Sequence, residues 1–191
     1  KTLFAAILAL HVLSPVNSQQ NGFRGPYRNG IYDESGLLKT WPSDGPRLLW
    51  EATDIGSGQS SAVAAGDAIY ITGRKDTKDV LTALTLDGKK KWEVAYGNAW
   101  TRNHDGSRST PTYYNGNILL VSGSGDVVCV DRDGKIKWSK NHFELFESKP
   151  LMFGISESPV VVDNLVIVSP GGKKASLAAF CSASRLLRPI P

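Results

Sequence analysis

The chain has 191 residues, of which 41% are apolar and 21% charged, enough apolar content for the core of one ordinary domain. Its net charge is +4, but its 22 basic residues are interleaved with 18 acidic ones, which argues against a nucleic-acid-binding protein. The 19 glycines and 10 prolines predict many turns. Cys129 and Cys181 have neither metal-binding nor redox spacing, so we expect structural roles for both rather than a disulfide.

Residues 1–18 have the layout of a secretory signal peptide. Lys1 precedes an apolar run from Leu3 to Leu13, and a turn with small residues follows, ending at Ser18. A transmembrane anchor is the alternative, but this run is about half of the roughly 20 apolar residues that cross a bilayer. We therefore predict cleavage after Ser18 and a protein that is periplasmic or secreted and not integral to a membrane.

Residues 19–59 form a predicted N-terminal segment without a long helix. Pairs such as Gly25-Pro26 and Trp41-Pro42 break any helix or central strand in it. Within this segment, residues 47–52 alone have the pattern of a strand, and they contain Trp50.

Two hairpins of similar sequence come next. In each, an apolar strand leads through an Asp-Gly turn to a return strand that ends on a tryptophan, first at Trp92 and then at Trp138. Trp50, Trp92 and Trp138 lie 42 and 46 residues apart. This interval indicates one repeated structural unit.

A second hairpin occurs three times and completes the unit. Its copies open at Ser61, Thr110 and Ser158, which are 49 and 48 residues apart. Four short strands per repeat of 40 to 50 residues are typical of a β-propeller blade, which needs neighbours to bury both faces. We predict an all-β fold, a partial propeller ring of about three four-stranded antiparallel blades. An antiparallel sandwich is the alternative. The predicted blades, the third of them incomplete, span residues 60–92, 109–138 and 157–180.

The segments Ala83–Trp92 and Cys129–Trp138 resemble the tryptophan-docking repeat of the pyrroloquinoline-quinone (PQQ)-like β-propellers. Residues 22–31 are similar to the N-terminal region of exported bacterial members, and the resemblance covers about residues 22–180. It implies that Trp50, Trp92 and Trp138 are structural residues that pack between adjacent blades. It also implies that residues 47–52 supply the outermost strand of the last blade in a ring of about seven or eight blades. The remaining blades would then be missing from this chain.

The repeat stops after Phe180. Where a turn and a tryptophan are expected, residues 181–191 form an aberrant tail with Arg188 at the tryptophan position. We interpret this as a frameshift or truncation that begins near Cys181, and the genomic reading frame past Phe180 would decide it. A natural short form that assembles from open arcs is the alternative.

Candidate ligand-binding residues lie in the loops that precede the innermost strands, where propellers of this kind hold ligands. Arg108 lies two residues before Thr110 and Glu157 one residue before Ser158. They are candidates for binding an anion and a cation, although loop-fixing contacts are the favoured interpretation. His104 and Asp105 are weaker candidates for acid–base chemistry, because adjacent residues rarely face each other and no nucleophile accompanies them. We therefore predict no catalytic residue and no metal site.

Two functions are compatible with the resemblance. We favour an exported binding or scaffold module for a protein or carbohydrate partner, which needs no reactive residues. The alternative is a PQQ- and calcium-dependent alcohol dehydrogenase, which requires calcium ligands and an aspartate base and, in that family, a pair of adjacent cysteines. The sequence has no adjacent cysteines, and Glu157 is the one ligand candidate. We expect PQQ with calcium only in the complete ring.

Overall fold

A computed structural model describes residues 20–182, 187 and 188. The predicted signal peptide, residues 1–18, and most of the predicted tail lie outside the described residues. The elements of the described part are β1 (Gln20–Asn21), β2 (Val63–Ala65), β3 (Ala68–Lys75), β4 (Lys78–Thr85), β5 (Lys90–Asn98), β6 (Thr112–Tyr114), β7 (Asn117–Val121), β8 (Asp126–Asp131), β9 (Ile136–Asn141), α1 (His142–Phe146), β10 (Val160–Val162), β11 (Leu165–Val168), β12 (Ala178–Cys181) and β13 (Leu187–Arg188).

The strands form three antiparallel sheets, each built from consecutive hairpins. Blade 1 contains β2 to β5, blade 2 contains β6 to β9, and blade 3 contains β10 to β13. The prediction of an all-β fold made of four-stranded antiparallel units is confirmed. We call the side formed by the first strands, β2, β6 and β10, the inner edge.

The two duplicated hairpins have the same irregular geometry. Gly88 and Gly134 have φ angles of +83° and +84°, which a residue with a Cβ rarely adopts. Both hairpins also carry a register shift at the corresponding point, between Ala83 and Leu84 and between Cys129 and Val130. The sequence repeat therefore extends to backbone details, including a bulge that increases the local twist.

The core consists of two apolar clusters, one on each face of blade 2. Along β7, Ile118 and Leu120 face blade 1, while Leu119 and Val121 face blade 3. Because successive side chains of a strand point to opposite faces, a fully apolar strand is the pattern of a sheet that is buried on both sides. Blade 2 is thus the central blade of the described arc.

Blade 3 has a short fourth strand. Leu187 and Arg188 form β13, which pairs with Ala179 and Phe180 of β12. The backbone groups on the free edge of β12 can pair with any extended segment, so this strand forms without the sequence of the repeat.

Residues 47–52 are assigned to no strand. A strand needs a hydrogen-bonded neighbour, and none of the described strands pairs with this segment. Trp50 nevertheless packs directly on Gly88, and its indole occupies the space that a Cβ on that glycine would need.

The N-terminal segment lies along the inner edge, a position that the sequence did not suggest. β1 pairs with β6, with Gln20 opposite Tyr114 and Asn21 opposite Tyr113, and so adds a fifth strand to blade 2. Further along the segment, Arg28 donates a hydrogen bond to the carbonyl of Pro159, just before β10 of blade 3.

Candidate functional site

A ladder of hydrogen bonds joins the three blades at the inner edge. The backbone N–H of Ser61 donates to Thr110 Oγ1 at 3.0 Å, and the N–H of Thr110 donates to Ser158 Oγ at 3.0 Å. These are the three equivalent positions of the sequence repeat. At this position in blades 2 and 3, a side-chain hydroxyl therefore accepts a hydrogen bond from a backbone N–H of the preceding blade.

The carboxylate of Asp105 fixes the loop before blade 2. It forms an ion pair with Arg74 of β3 and accepts a hydrogen bond from Ser57 Oγ at 3.3 Å. Arg74 also donates from Nε to the carbonyl of Asp76 at 2.7 Å. Because the carboxylate is mostly exposed, this pair contributes to loop geometry more than to stability.

His104 and Asp105 have separate partners. The imidazole of His104 meets the ring of Phe153 edge-on, with centroids 5.2 Å apart. The carboxylate of Asp105 instead contacts Arg74. The structure therefore does not bring the two side chains together as an acid–base pair.

The carboxylate of Glu157 is held by the backbone of its own blade. The N–H of Ser169 donates to both carboxylate oxygens, at 3.0 and 3.1 Å, and the hydroxyl of Ser169 donates at 3.0 Å. These three bonds tie the loop before β10 to the residue that follows β11. They are the contacts of a loop-fixing residue.

Arg108 lies beside a buried carboxylate that the sequence analysis did not identify. Nε and Nη2 of Arg108 are buried without a hydrogen-bond partner. Nearby, Asp79 is 1% exposed, and its Oδ2 accepts a hydrogen bond from the N–H of Gly123 at 2.7 Å. Burial raises the pKa of Asp79 to about 6, against the opposing effects of that hydrogen bond and of the charges of Arg108 and Arg74.

Further polar groups continue this contact between blades 1 and 2. Tyr96 and Ser107 share a hydrogen bond of 3.1 Å, and burial, followed by the charge of Asp79, raises the pKa of Tyr96. Asp126 accepts from the N–H of Asn98 at 3.1 Å. Asp79, a charged residue in strand β4, was the sequence signal for this network. The N–H that it accepts from, that of Gly123, lies in blade 2.

The blade tryptophans contact the neighbouring blade, each in a different way. Trp92 Nε1 donates to the carbonyl of Arg132 at 2.9 Å, and its ring packs on Gly134. Trp138 Nε1 donates to the carbonyl of Ser182 at 3.3 Å. Both indoles therefore combine apolar packing with a satisfied N–H.

The repeat matches the model of a known protein family. The model described as the outer membrane protein assembly factor BamB matches residues 77–184. The chain belongs to this family. No curated relative matches the chain.

Three solved structures share the fold of this BamB family member. A europium-containing methanol dehydrogenase has a TM-score of 0.54 and 21% identity over 74% of this chain and 26% of its own. Quinohemoprotein alcohol dehydrogenase from Comamonas testosteroni has a TM-score of 0.54 and 16% identity over 74% and 22%. BamB from Moraxella catarrhalis has a TM-score of 0.52 and 18% identity over 73% and 38%.

These findings confirm the resemblance to PQQ-like propellers and the partial propeller fold. The chain spans between about a fifth and two fifths of the length of the solved structures that it matches. At these identities the likeness shows the fold alone. In the part of the chain that the structure describes, no helix is long and apolar enough to span a membrane.

Among the described residues, the side chains considered for a PQQ and calcium site have protein partners. The carboxylate of Glu157 accepts from Ser169, and the thiol of Cys129 is buried against the carbonyl of Ser182. Burial also raises the pKa of Cys129 to about 11. Residues 20–182, 187 and 188 contain no group of three or more His, Cys, Asp or Glu side chains placed to hold a metal ion.

Proposed function

We propose that the chain is part of an exported, BamB-like propeller that acts as a binding or scaffold module for a protein partner. The proposal rests mainly on the contacts that the acidic loop residues make. Asp105 and Glu157, the acidic candidates in the loops before blades 2 and 3, are engaged by Arg74 and Ser169. Such loops present a fixed surface rather than a reactive group.

Two further observations support the proposal. The family model carries the description of an assembly factor, and assembly factors act through protein contacts. Residues 1–18 have the pattern of a secretory signal peptide, which agrees with a periplasmic or secreted location.

The alternative is a quinoprotein alcohol dehydrogenase, and the first experiment tests for its cofactor binding and activity. The full chain is titrated with PQQ and Ca²⁺ while absorbance and dye-linked alcohol oxidation are recorded. We expect neither stoichiometric PQQ binding nor turnover. Tight binding with turnover would contradict the scaffold proposal.

A second experiment tests for a protein partner. A photo-crosslinking amino acid is placed at Arg102, in the exposed loop before blade 2, and, as a matched control, at Lys89 in the outer turn of blade 1. In cells that export the protein, we expect a discrete protein crosslink from position 102 and none from position 89. Equal crosslinking from both positions, or crosslinking to glycan alone, would contradict the proposal.

A further inference from the structure

A groove of about 590 Å³ lies between the N-terminal segment and the inner edge of blade 1. One side is formed by Ala62, Val63 and Ala64, at and just before β2. The other lining residues belong to the N-terminal segment and include Tyr27 and Tyr32. The groove therefore lies at the edge of a strand and contains aromatic residues.

The strand edge in this groove presents backbone hydrogen-bonding groups. Asn21 Nδ2 donates to the carbonyl of Ala64 at 2.9 Å, so that carbonyl points away from β3. In an antiparallel pair, alternate residues direct both backbone groups to the same side. The N–H of Ala64 consequently faces the groove, while Val63 pairs with Tyr70 of β3. Ala62 and Ala64 are exposed.

The corresponding edge of the next blade is already occupied by an extended segment. β1 pairs with β6, which is the first strand of blade 2 as β2 is of blade 1. The molecule thus shows that the inner edge of a blade accepts an added antiparallel strand. Strand addition of this kind derives affinity from main-chain hydrogen bonds and specificity from the side chains.

The groove is acidic in a chain whose net charge is positive. Asp33 and Glu34 line it, and among its described lining residues there is no lysine or arginine. The whole chain carries a net charge of +4. An occupant with basic side chains therefore matches the charge of the groove.

We propose that the inner edge of blade 1 binds an extended, lysine- or arginine-bearing segment of a partner protein by strand addition to β2. This inference rests on the proposed scaffold function and assigns it a surface and a class of partner. The bound segment accepts a hydrogen bond from the N–H of Ala64 and places a basic side chain near Asp33 and Glu34.

The test uses three fluorescein-labelled octapeptides and the full chain. One peptide alternates threonine with lysine, the second alternates threonine with glutamate, and the third is the lysine peptide N-methylated at every second residue. We expect saturable binding of the first, binding of the second that is weaker by about tenfold or more, and no binding of the third. Absence of binding by the lysine peptide, or equal binding of all three, would overturn the proposal.

Two variants locate the site. Ala64→Pro removes the N–H that faces the groove at an edge position where proline is tolerated, and it is expected to weaken lysine-peptide binding about tenfold. Asp33→Lys with Glu34→Lys is expected to reverse the preference in favour of the glutamate peptide. The matched control, Asp44→Lys with Glu51→Lys, makes the same charge change on exposed acids outside the groove. Equal effects of the two double variants would overturn the proposal.

Hydrogen exchange separates this surface from other strand edges and from the proposed function. The lysine peptide is expected to slow exchange of the amides at residues 62–64 in the parent chain. Protection at the outer strands β5 or β9 instead would overturn the assignment. If the crosslink from position 102 persists in Ala64→Pro while peptide binding is unchanged, the groove is refuted and the scaffold function stands.

Discussion

The two interfaces between blades differ in chemistry although they are built from the same repeat. Between blades 1 and 2, Tyr70 stacks on Tyr113 with centroids 6.1 Å apart, and a polar network around Asp79 completes the contact. Between blades 2 and 3, Trp138 stacks on Phe180 with centroids 5.9 Å apart, within an apolar cluster. Both interfaces contain an apolar cluster, and the first adds a buried carboxylate with its hydrogen bond.

The position of the repeated tryptophan reflects this difference. Trp92 is partly exposed, because it lies over the turn that contains Gly134. Trp138 is 6% exposed and contacts Phe180 and the carbonyl of Ser182. The same tryptophan position of the repeat is therefore buried to a different extent in each blade, according to the surface that the next blade presents.

The largest expected effect distinguishes the two tryptophans. Trp138→Ala should lower the free energy of unfolding by about 3 to 5 kcal/mol, because it removes a buried ring and leaves a cavity. Trp92→Ala should cost about 1 to 2 kcal/mol, since much less of that side chain is buried. Urea denaturation measures both. Trp138→Phe should retain most of the packing and lose the hydrogen bond to Ser182, and equal losses for the two alanine variants would contradict the comparison.

Acid should weaken the connection between blades 2 and 3 through His142. This residue of α1 is 0% exposed, both ring nitrogens lack a hydrogen-bond partner, and burial lowers its pKa to about 4, with Asp126 acting in the opposite direction. The folded chain therefore binds a proton less tightly than the unfolded chain. The stability that the neutral ring contributes is present above pH 6.5 and is lost as the pH falls toward 4, up to about 3 kcal/mol.

The check compares the parent chain with His142→Leu. Denaturant unfolding at several pH values between 7 and 4 gives the free energy for each. The variant should lose this part of the pH dependence, whereas retention of the full acid sensitivity in His142→Leu would assign it to another group.

The blade repeat was predictable because it depends on local chemistry. The Asp-Gly turns require a positive φ, and the alternation of apolar residues sets which face of each strand is buried. Gly88 and Gly134 have this φ, and β7 is buried on both faces. Local signals were therefore sufficient for the strands and turns of each blade, and their repetition indicated the propeller.

The remaining features depend on contacts between distant parts of the chain. Nothing in the two residues of β1 predicts a strand, because their pairing is provided by the free edge of β6. Asp79 is buried through its contact with Gly123, which is 44 positions away. The candidates Arg108 and Glu157 were recognisable as polar loop residues, but their partners were not, since these come from tertiary packing.

Protonation should have the opposite effect at the interface between blades 1 and 2. Burial raises the pKa of Asp79 to about 6, so the folded chain binds this proton more tightly than the unfolded chain. The contribution to stability is complete below about pH 4 and is lost as the pH rises through about 6, by about 2 to 3 kcal/mol.

Asp79→Asn isolates this contribution. The amide oxygen can still accept from the N–H of Gly123, while the buried charge is removed. We expect the variant to be more stable than the parent at pH 8 and to differ little from it at pH 4, as measured by denaturant unfolding. A destabilised variant at pH 8 would mean that attraction to Arg108 and Arg74 outweighs the burial of the charge.

The smallest expected effect concerns the glycine beneath Trp92. Gly134→Ala places a Cβ 2.9 Å from the indole at a φ of +84°, whereas Gly171→Ala meets open space at a φ of +60°. Both variants carry the conformational cost of a positive φ, about 1 kcal/mol. Gly134→Ala should lose roughly 1 kcal/mol more in denaturant unfolding, because the ring must shift away from blade 2. Since Trp92 is partly exposed, its ring has room to move, and the additional loss should disappear in a Trp92→Ala background. An additional loss that persists there would mean that Gly134 is required by its own turn rather than by the tryptophan of blade 1.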